Sequence, residues 1–428
     1  MKQLLLLVSL LFLLGCNDDE RPTNPTPSDG SPNVLLIIAD DLGKDALSGF
    51  EEGSIKPSTP NIDGFRTSGL SFSNFWSYPT CSPTRASILT GKYGYRTGVK
   101  WAGDELDLSE TSLQKYIGDQ SNDKYATAIS GKWHLSGGDG TFNPEVFGID
   151  YYAGLIRGTA QSYNNWVLTE DGAGSFESEY TTTKFTDLAI DWISQQEKPW
   201  FMWLAYNAPH TPFHTPSIEM HSQGELPDYM DGMDPMPYYM AAIEAMDFQI
   251  GRLLDNLSPQ EIENTIVIFI GDNGSPNEVA QFPFNSSKAK GTLYQGGVNV
   301  PMFISGKGVS RTGIDENLIC STDLFATISE LAGVSVNEIN DSKSFKSLLT
   351  QNETIRNFQY VERTNGSSEK WAISNGKYKL IEGINGSQEF YNLGADPYEN
   401  NDLLGGNLTS IEASAKSELE MELLIIRQ

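Results

Sequence analysis

The chemistry in this chain gathers around Cys81-Ser82-Pro83-Thr84-Arg85-Ala86-Ser87-Ile88-Leu89-Thr90-Gly91. A cysteine precedes a proline by two residues and an arginine by four, an apolar run follows, and Gly91 closes it. The spacing predicts a helix beginning close to Cys81. Pro83 falls in its first turn, where a missing N–H costs nothing. Arg85 lies one helical turn on and can reach back over Cys81. The free N–H groups and positive dipole end of such a helix favour an anion. The same residues also fit a plain capped helix with a buried cysteine, so the rest of the chain has to decide.

Two further sets of residues are oxygen donors. Asp40-Asp41 follows the apolar run 33–39, and Asp272-Asn273, between Gly271 and Gly274, follows the run 265–270. Donor sets made only of oxygen suit a hard cation such as Ca²⁺ or Mg²⁺ better than zinc. Neighbouring strand residues point to opposite faces, so each pair can share a metal only where its strand breaks. Gly43, Gly271 and Gly274 make such breaks plausible. The chain has four histidines. His134 ends Gly131-Lys132-Trp133-His134, and His210 sits in Ala208-Pro209-His210-Thr211-Pro212-Phe213. His214 repeats the Thr-Pro context but opens no matching motif. Lys290 adds a cation on a Gly-rich turn ending at Gly296-Gly297. Taken together, Arg85, Lys132, His134, His210 and Lys290 would surround one nucleophilic position beside a cation. In a chain of net charge −27, such a basic nest needs a small tetrahedral anion, such as a sulfate or phosphate ester. Catalysis there would come from preorganised charge, a nucleophile and acid–base histidines.

The elements that must position these groups follow from hydrophobic patterning. At 428 residues, 39% hydrophobic and 20% charged, the chain suits one large α/β domain with a smaller appendage. Its acidity leaves no basic footprint for nucleic acid. Apolar runs predict buried, parallel-type strands at 33–39, 125–130, 200–206, 265–270 and 300–305. Helical spacing predicts helices near 62–68, 112–117, 182–196, 237–257 and 321–331. Polar groups at the carboxyl ends of strands lie where ligands bind in open α/β sheets. Residues 136–181, rich in Gly, Asn, Tyr and Ser, predict a long surface excursion with no clean period. From about residue 352 short strand runs take over. Asn375-Gly376 marks a hairpin turn, and Thr409…Glu412 marks a capping box for a last helix with Ile411, Ala415, Leu419 and Leu423 on one face.

The amino terminus predicts export. Lys2 is a short basic region, the apolar run 4–14 is too short to span a membrane, and Leu13-Leu14-Gly15-Cys16 resembles a bacterial lipobox. This implies a signal peptide over 1–15, lipid on Cys16 and a flexible tether over 16–32. An ordinary secretory signal is the alternative. Acidic residues 17–20 resemble surface-export signals of Bacteroidota lipoproteins, which points to an outer-membrane, cell-surface or periplasmic lipoprotein, on the membrane only through its lipid. With Cys16 and Cys81 assigned, Cys320 is left alone, and a structural disulfide is not expected.

The order and wording of these motifs resemble the formylglycine-dependent sulfatases of the alkaline phosphatase superfamily. Cys81…Arg85…Thr90-Gly91 is similar to the family's maturation signature and Gly131…His134 to its second one. The resemblance extends to Asn33…Asp41, Ala208…Phe213, Gly271…Gly274 and Lys290…Gly297, and to the small-domain segments 375–379 and 389–397. Any one motif is weak; six in order are specific. The resemblance implies a large mixed, mostly parallel sheet flanked by helices over 33–350 and a small C-terminal antiparallel sheet plus helix over 351–428. It implies that a maturation enzyme oxidises Cys81 to formylglycine, whose hydrate attacks sulfur, and that Asp40, Asp41, Asp272 and Asn273 hold Ca²⁺ with the group at 81 beside them. By the same resemblance Arg85 orients the hydrate, Lys132 and Lys290 bind sulfate oxygens, His210 binds the substrate and protonates the leaving alcohol, and His134 takes a proton so that sulfate is released. The chain departs from the family at Gln295, where an acidic residue is frequent, and at Asn299, where arginine is frequent.

These expectations define a sulfate ester hydrolase acting on a sulfated saccharide. Trp76, Trp101, Trp133 and Trp166 are candidates to stack on sugar, although core burial is the default for each. A phosphodiester or phosphonate monoester hydrolase of the same superfamily is the alternative enzyme, and an inactive glycan-binding lipoprotein the alternative outside enzymes.

Overall fold

A computed structural model describes residues 30–137 and 144–428. The expected signal peptide, Cys16 and nearly all of the tether lie outside the described residues.

The centre of the molecule is β1 (Asn33–Asp40), whose eight residues are all buried. Its side chains alternate between two core layers: Val34, Leu36 and Ile38 enter one, Leu35, Ile37 and Ala39 the other. A strand apolar on both faces must be covered on both, the arrangement of parallel sheets. Nine more strands complete the sheet: β2 (Leu70–Trp76), β3 (Ala126–Lys132), β4 (Tyr151–Leu155), β5 (Trp166–Glu170), β6 (Ala173–Glu177), β7 (Trp200–Pro209), β8 (Thr265–Gly271), β9 (Met302–Gly306) and β10 (Gly313–Cys320). Their order is β10-β2-β9-β8-β1-β7-β3-β4-β5-β6. From β8 to β4 neighbours are parallel, so β1, β3, β7 and β8 bring their carboxyl ends to one edge. β9 is antiparallel to both β8 and β2, so the sheet is mixed and mostly parallel, as expected. Helices Cys81–Thr90, Leu113–Ser121 and Asp323–Leu331 supply one apolar layer; Pro60–Ser68, Thr181–Ile193 and Met236–Asp255 supply the other.

Three expectations are corrected. The excursion 136–181 is not all surface loop, because β4 extends the parallel sheet and β5–β6 adds an antiparallel hairpin to its edge. Short strands paired at one end of a sheet carry little periodicity, and Val167 and Phe176 are exposed on this hairpin. β10 was not foreseen either; it is an edge strand paired on one side to β2, and its polar Asp315-Glu316-Asn317 hides the pattern. In the last helix, Ser410–Ile426, Leu419 and Leu423 are buried but Ile411 is 67% exposed, since the first turn overhangs the sheet that the later turns cover.

A short hairpin, β11 (Glu338–Ile339) and β12 (Ser342–Lys343), precedes the second sheet. That sheet comprises β13 (Gln359–Asn365), β14 (Ser368–Ser374), β15 (Tyr378–Gly383) and β16 (Gln388–Asn392), antiparallel in chain order. Asn375-Gly376 makes the expected turn, with Gly376 at φ 85°. The Thr409–Glu412 capping box is formed.

The small sheet is locked to the large one by a buried pair. Lys379 Nζ lies 2.6 Å from Glu399 Oε1, and both side chains are buried. Lys379 also donates to Leu293 O at 2.6 Å, and Glu399 Oε2 accepts from Gln295 N at 2.6 Å. The pair thereby holds the 290–299 turn. Removing one partner of a buried ion pair costs about 3–5 kcal/mol, because the other charge is left unpaired. Lys379→Ala is therefore expected to lower urea-unfolding stability by that amount, and Lys379→Ala combined with Glu399→Gln by clearly less; additive losses would show that the two side chains act independently.

Candidate active site

Cys81 is the first residue of the helix Cys81–Thr90; Thr80 before it is extended, and Gly91 ends the helix at φ 65° with its N–H on Ser87 O at 2.9 Å. Pro83 falls in the first turn, as expected. All ten residues are buried, so this helix is inserted into the protein rather than laid on it. Two hydroxyls fix its start. Thr84 Oγ1 donates to Asp272 O at 2.7 Å and accepts from Tyr78 N at 2.9 Å. Ser82 Oγ donates to His134 O and accepts from Gly103 N, both at 2.9 Å.

The strand break needed at Asp40-Asp41 is present, but glycine does not make it. Pairing between β1 and β7 shifts after Ile38, and Asp41 itself takes φ 66°. Gly43 has an ordinary φ of −88°. Its missing side chain matters for space, since a Cβ there would lie 2.5 Å from Asp45 Oδ1. Gly271 and Gly274 serve close approach too: Cβ atoms on them would fall 2.1 Å from Leu42 O and 1.8 Å from Gly296 O. Asp41 N donates to Asp272 Oδ1 at 3.0 Å, and Asn273 Nδ2 donates to Asp41 Oδ1 at 2.7 Å.

The expected residues converge. Arg85 Nη2 pairs with Asp272 Oδ2 at 2.8 Å and Nη1 donates to Lys132 O at 2.7 Å. Lys132 Nζ lies 2.5 Å from Asp40 Oδ2, and Lys290 Nζ 2.6 Å from Asp41 Oδ2. His210 Nε2 is 3.6 Å from that same Asp41 oxygen. Donor atoms of Asp40, Cys81 and Asp272 lie within 4.8 Å of one another, as do those of Asp40, Asp41 and His210. Asp40 Oδ1 and Asn273 Oδ1 are buried with no hydrogen-bond partner among the described residues. Two orphaned acceptors among clustered carboxylates fit a hard cation, because an unpaired buried acceptor otherwise pays its full desolvation cost.

Burial and charge set the protonation states. Burial raises Asp272 to about 6, with Asp40 adding to the rise and Arg85 opposing it. Burial alone would also raise Asp41, but His210, Lys290 and Lys132 bring it down to about 2. Burial lifts the Cys81 thiol above its ordinary value, against the pull of Lys132. Burial lowers His210 to about 4 despite Asp41, and drives His134 far down with help from Lys132 and Arg85. Both histidines are neutral bases here.

Some of the support was not legible in sequence. Tyr163, inside the excursion, stacks on His214 with ring centroids 3.6 Å apart, and its Oη reaches Asn207 O at 2.9 Å and His210 O at 2.7 Å. The pair braces the turn that carries His210, which gives residue 214 a positioning role. Gln295 and Asn299 face away from the charged cluster: Asn299 donates to Gln295 Oε1 at 2.8 Å and accepts from buried Lys44 at 2.7 Å. Trp76, Trp133 and Trp166 are core residues; Trp101 is partly exposed.

The Sulfatase family profile matches residues 32–334. The chain belongs to the sulfatase family. A second profile, N-sulphoglucosamine sulphohydrolase, C-terminal, matches residues 288–424 of this sulfatase. It is 28% identical over 364 residues to the uncharacterised sulfatase YdeN of Escherichia coli, covering 72% of this chain and 63% of that one. It is 27% identical to rat (Rattus norvegicus) arylsulfatase G, covering 71% and 66%, and 27% identical to human (Homo sapiens) arylsulfatase A, covering 88% and 84%. The chain thus spans just under two thirds of the length of the first two relatives. Its fold superposes on Ps i-CgsB in complex with k-i-k-neocarrahexaose with a TM-score of 0.77 at 24% identity, covering 91% and 92% of the two chains. It superposes on BT4656 in complex with its substrate D-glucosamine-2-N,6-O-disulfate with a TM-score of 0.75 at 22% identity, covering 93% and 97%.

His214 gives the sulfatase an acid-side weakness. Its Nδ1 lies 3.0 Å from Pro212 O and its Nε2 2.8 Å from Tyr180 Oη, so the neutral ring donates once and accepts once. Burial lowers its pKa to about 4. An unfolded histidine titrates near ~6.5, so the unfolded chain binds the extra proton first as pH falls. The stabilisation is complete above about 6.5 and drains away toward 4. Thermal midpoints measured from pH 7 to pH 4.5 should fall, and His214→Gln should flatten that fall while lowering the pH 7 midpoint; an unchanged pH slope would show that His214 does not titrate in this window.

Proposed function

We propose that this sulfatase hydrolyses a sulfate ester of a saccharide, with Cys81 converted to formylglycine and calcium held by Asp40, Asp41, Asp272 and Asn273. The observation that carries the reading is the buried cluster itself. A cysteine at a helix N-terminus faces three cations and two neutral histidines beside two orphaned oxygen acceptors. The saccharide part is supported by the bound sugars named for the two solved relatives and by the partly exposed Trp101.

When bound, calcium would offset negative charge on the ester's oxygens, and the formylglycine hydrate would supply the attacking oxygen. Arg85, pinned by Asp272 and the Lys132 carbonyl, places its charge beside residue 81 and favours that group in its ionised form. Lys132 and Lys290 stand on opposite carboxylates, so their ammonium groups flank one space and grip sulfate from two sides. His210 Nδ1 lies 2.6 Å from Thr211 O and keeps its hydrogen there, which leaves Nε2 to pass a proton to the leaving alcohol. The ester's own negative charge raises His210 toward its ordinary range and so loads that proton. His134 accepts a proton from residue 81; burial keeps it neutral, and its Nδ1 has no partner among the described residues. Because Cys81 is buried in a packed helix, a formylglycine-generating enzyme must meet this segment before it folds. The reading includes export as a lipoprotein through Cys16, on the residues around it alone.

Mass spectrometry of the peptide spanning Cys81, from a host with the maturation enzyme, should show formylglycine. The mature protein should release sulfate from an aryl sulfate in preference to phosphate from the matching aryl phosphate. Cys81→Ala should fold normally and lose about 10⁴-fold in kcat, as expected when a nucleophile is removed. Unmodified cysteine with full turnover, or phosphate released faster, would sink the reading.

Gly158 bears on His134. A Cβ at this position would lie 2.2 Å from both Cε1 and Nε2 of the His134 ring. His134 takes φ 62° with its N–H on Ile156 O at 3.0 Å, so its backbone cannot yield. Gly158→Ala should displace the ring and lower kcat by about 10- to 100-fold at little change in KM. Unchanged kcat at unchanged thermal midpoint would refute the positioning role.

A further inference from the structure

Beside the turn that carries Lys290 stands a cation that the chemistry above does not use. Arg363 lies on β13 of the small sheet, and its guanidinium stands 5.8 Å from the centre of the Trp101 ring. It donates from Nη1 to Gly291 O, the residue after Lys290. Its Nε is buried with no partner among the described residues, and no carboxylate there pairs with it. Burial lowers its pKa below the ordinary arginine value. In a chain of net charge −27, an arginine without an acidic partner stands out.

Several contacts tie this arginine and Trp101 to the segments that carry Cys81 and Lys290. Gly291 N donates to Pro79 O at 2.8 Å, two residues before Cys81. A Cβ on Gly291 would touch Trp101 Cη2 at 3.6 Å, so the indole lies against the turn that presents Lys290. The Trp101 loop is itself fixed: Gly103 N donates to Ser82 Oγ, and the Asp104 carboxylate accepts from Lys100 N and Trp101 N, both at 2.8 Å. Of the four tryptophans that could stack on sugar, Trp101 alone stays outside the core.

We propose that Trp101 and Arg363 form the sugar-reading rim of this site, and that the saccharide it takes carries a second anionic substituent, a carboxylate or a further sulfate, besides the ester that is cleaved. An indole face offers apolar area to a sugar ring. A planar guanidinium forks onto carboxylate or sulfate oxygens. Held together, with the guanidinium over the indole, they select a sugar that presents an apolar face and an anion together. A neutral sugar would leave the half-buried guanidinium without a counter-charge, which is how a built polar site rejects an analogue. This inference rests on the sulfatase reading for its placement at the mouth of a catalytic centre.

Binding separates the two. Full-length Cys81→Ala protein is titrated calorimetrically with three sets of saccharides matched in the position of one sulfate: neutral otherwise, with an added uronic carboxylate, and with an added sulfate. At least one doubly anionic set should bind about tenfold or more tightly than the neutral set, and the tighter of the two names the second anion. Arg363→Gln in the same background should erase that preference, and Arg363→Lys should restore part of it. Trp101→Ala should weaken all three sets together. Equal affinity across the sets, a preference that survives Arg363→Gln, or no binding by any set would overturn the rim assignment. Absence of sulfate release by the mature wild-type protein would instead overturn the sulfatase reading and leaves the binding result to be judged by itself.

Discussion

Three carboxylates and three cations crowd together at the carboxyl edge of the large sheet. Asp40, Asp41 and Asp272 are almost wholly buried, and like charges this close repel strongly where water cannot screen them. Arg85, Lys132 and Lys290 offset that repulsion pair by pair, each with an N–O distance of 2.8 Å or less. Losing any one of these partners would leave its mate a lone buried charge, which costs several kcal/mol. The surrounding fold can be understood as the scaffold that makes this mutual neutralisation possible. Asp40 Oδ1 and Asn273 Oδ1, without a donor among the described residues, mark where the neutralisation is incomplete and where a cation would fit.

Parallel strands are what make the cluster affordable in chain terms. Because β1, β3, β7 and β8 run the same way, residues far apart in sequence emerge together at one edge. The helix Cys81–Thr90 then enters that edge by its N-terminus, which adds a further positive end. Its hydroxyls at Ser82 and Thr84 tie it to the ends of β3 and β8, so helix and strands cannot drift separately. The break at Asp41 illustrates the same economy, because a left-handed aspartate turns two adjacent carboxylates into the one site.

The small sheet contributes differently. It holds the 290–299 turn through Lys379 and Glu399, and it places Arg363 on the Lys290 turn from the outside. The charged cluster proposed to take the sulfate ester is thus built around the large sheet, while the second sheet reaches the Lys290 turn beside it.

Much of this was written in local sequence. Unbroken apolar runs marked β1, β7 and β8, and proline and glycine marked the two ends of the Cys81 helix. The oxygen donors, both histidines and Lys132 stood at strand ends and Lys290 on a Gly-rich turn, so the charged groups are nameable from sequence. Sequence alone could not show that Asp41 supplies the break, that Tyr163 stacks on His214 behind His210, or that Gly158 leaves room for the His134 ring. Nor could it separate Trp101 from the three buried tryptophans, or bring Arg363 across to Gly291. Local pattern is set by the chain's own hydrogen bonds and by which faces must leave water, and these are legible residue by residue. Contacts between segments 44 to 187 residues apart depend on how whole layers pack, and only the tertiary structure decides them.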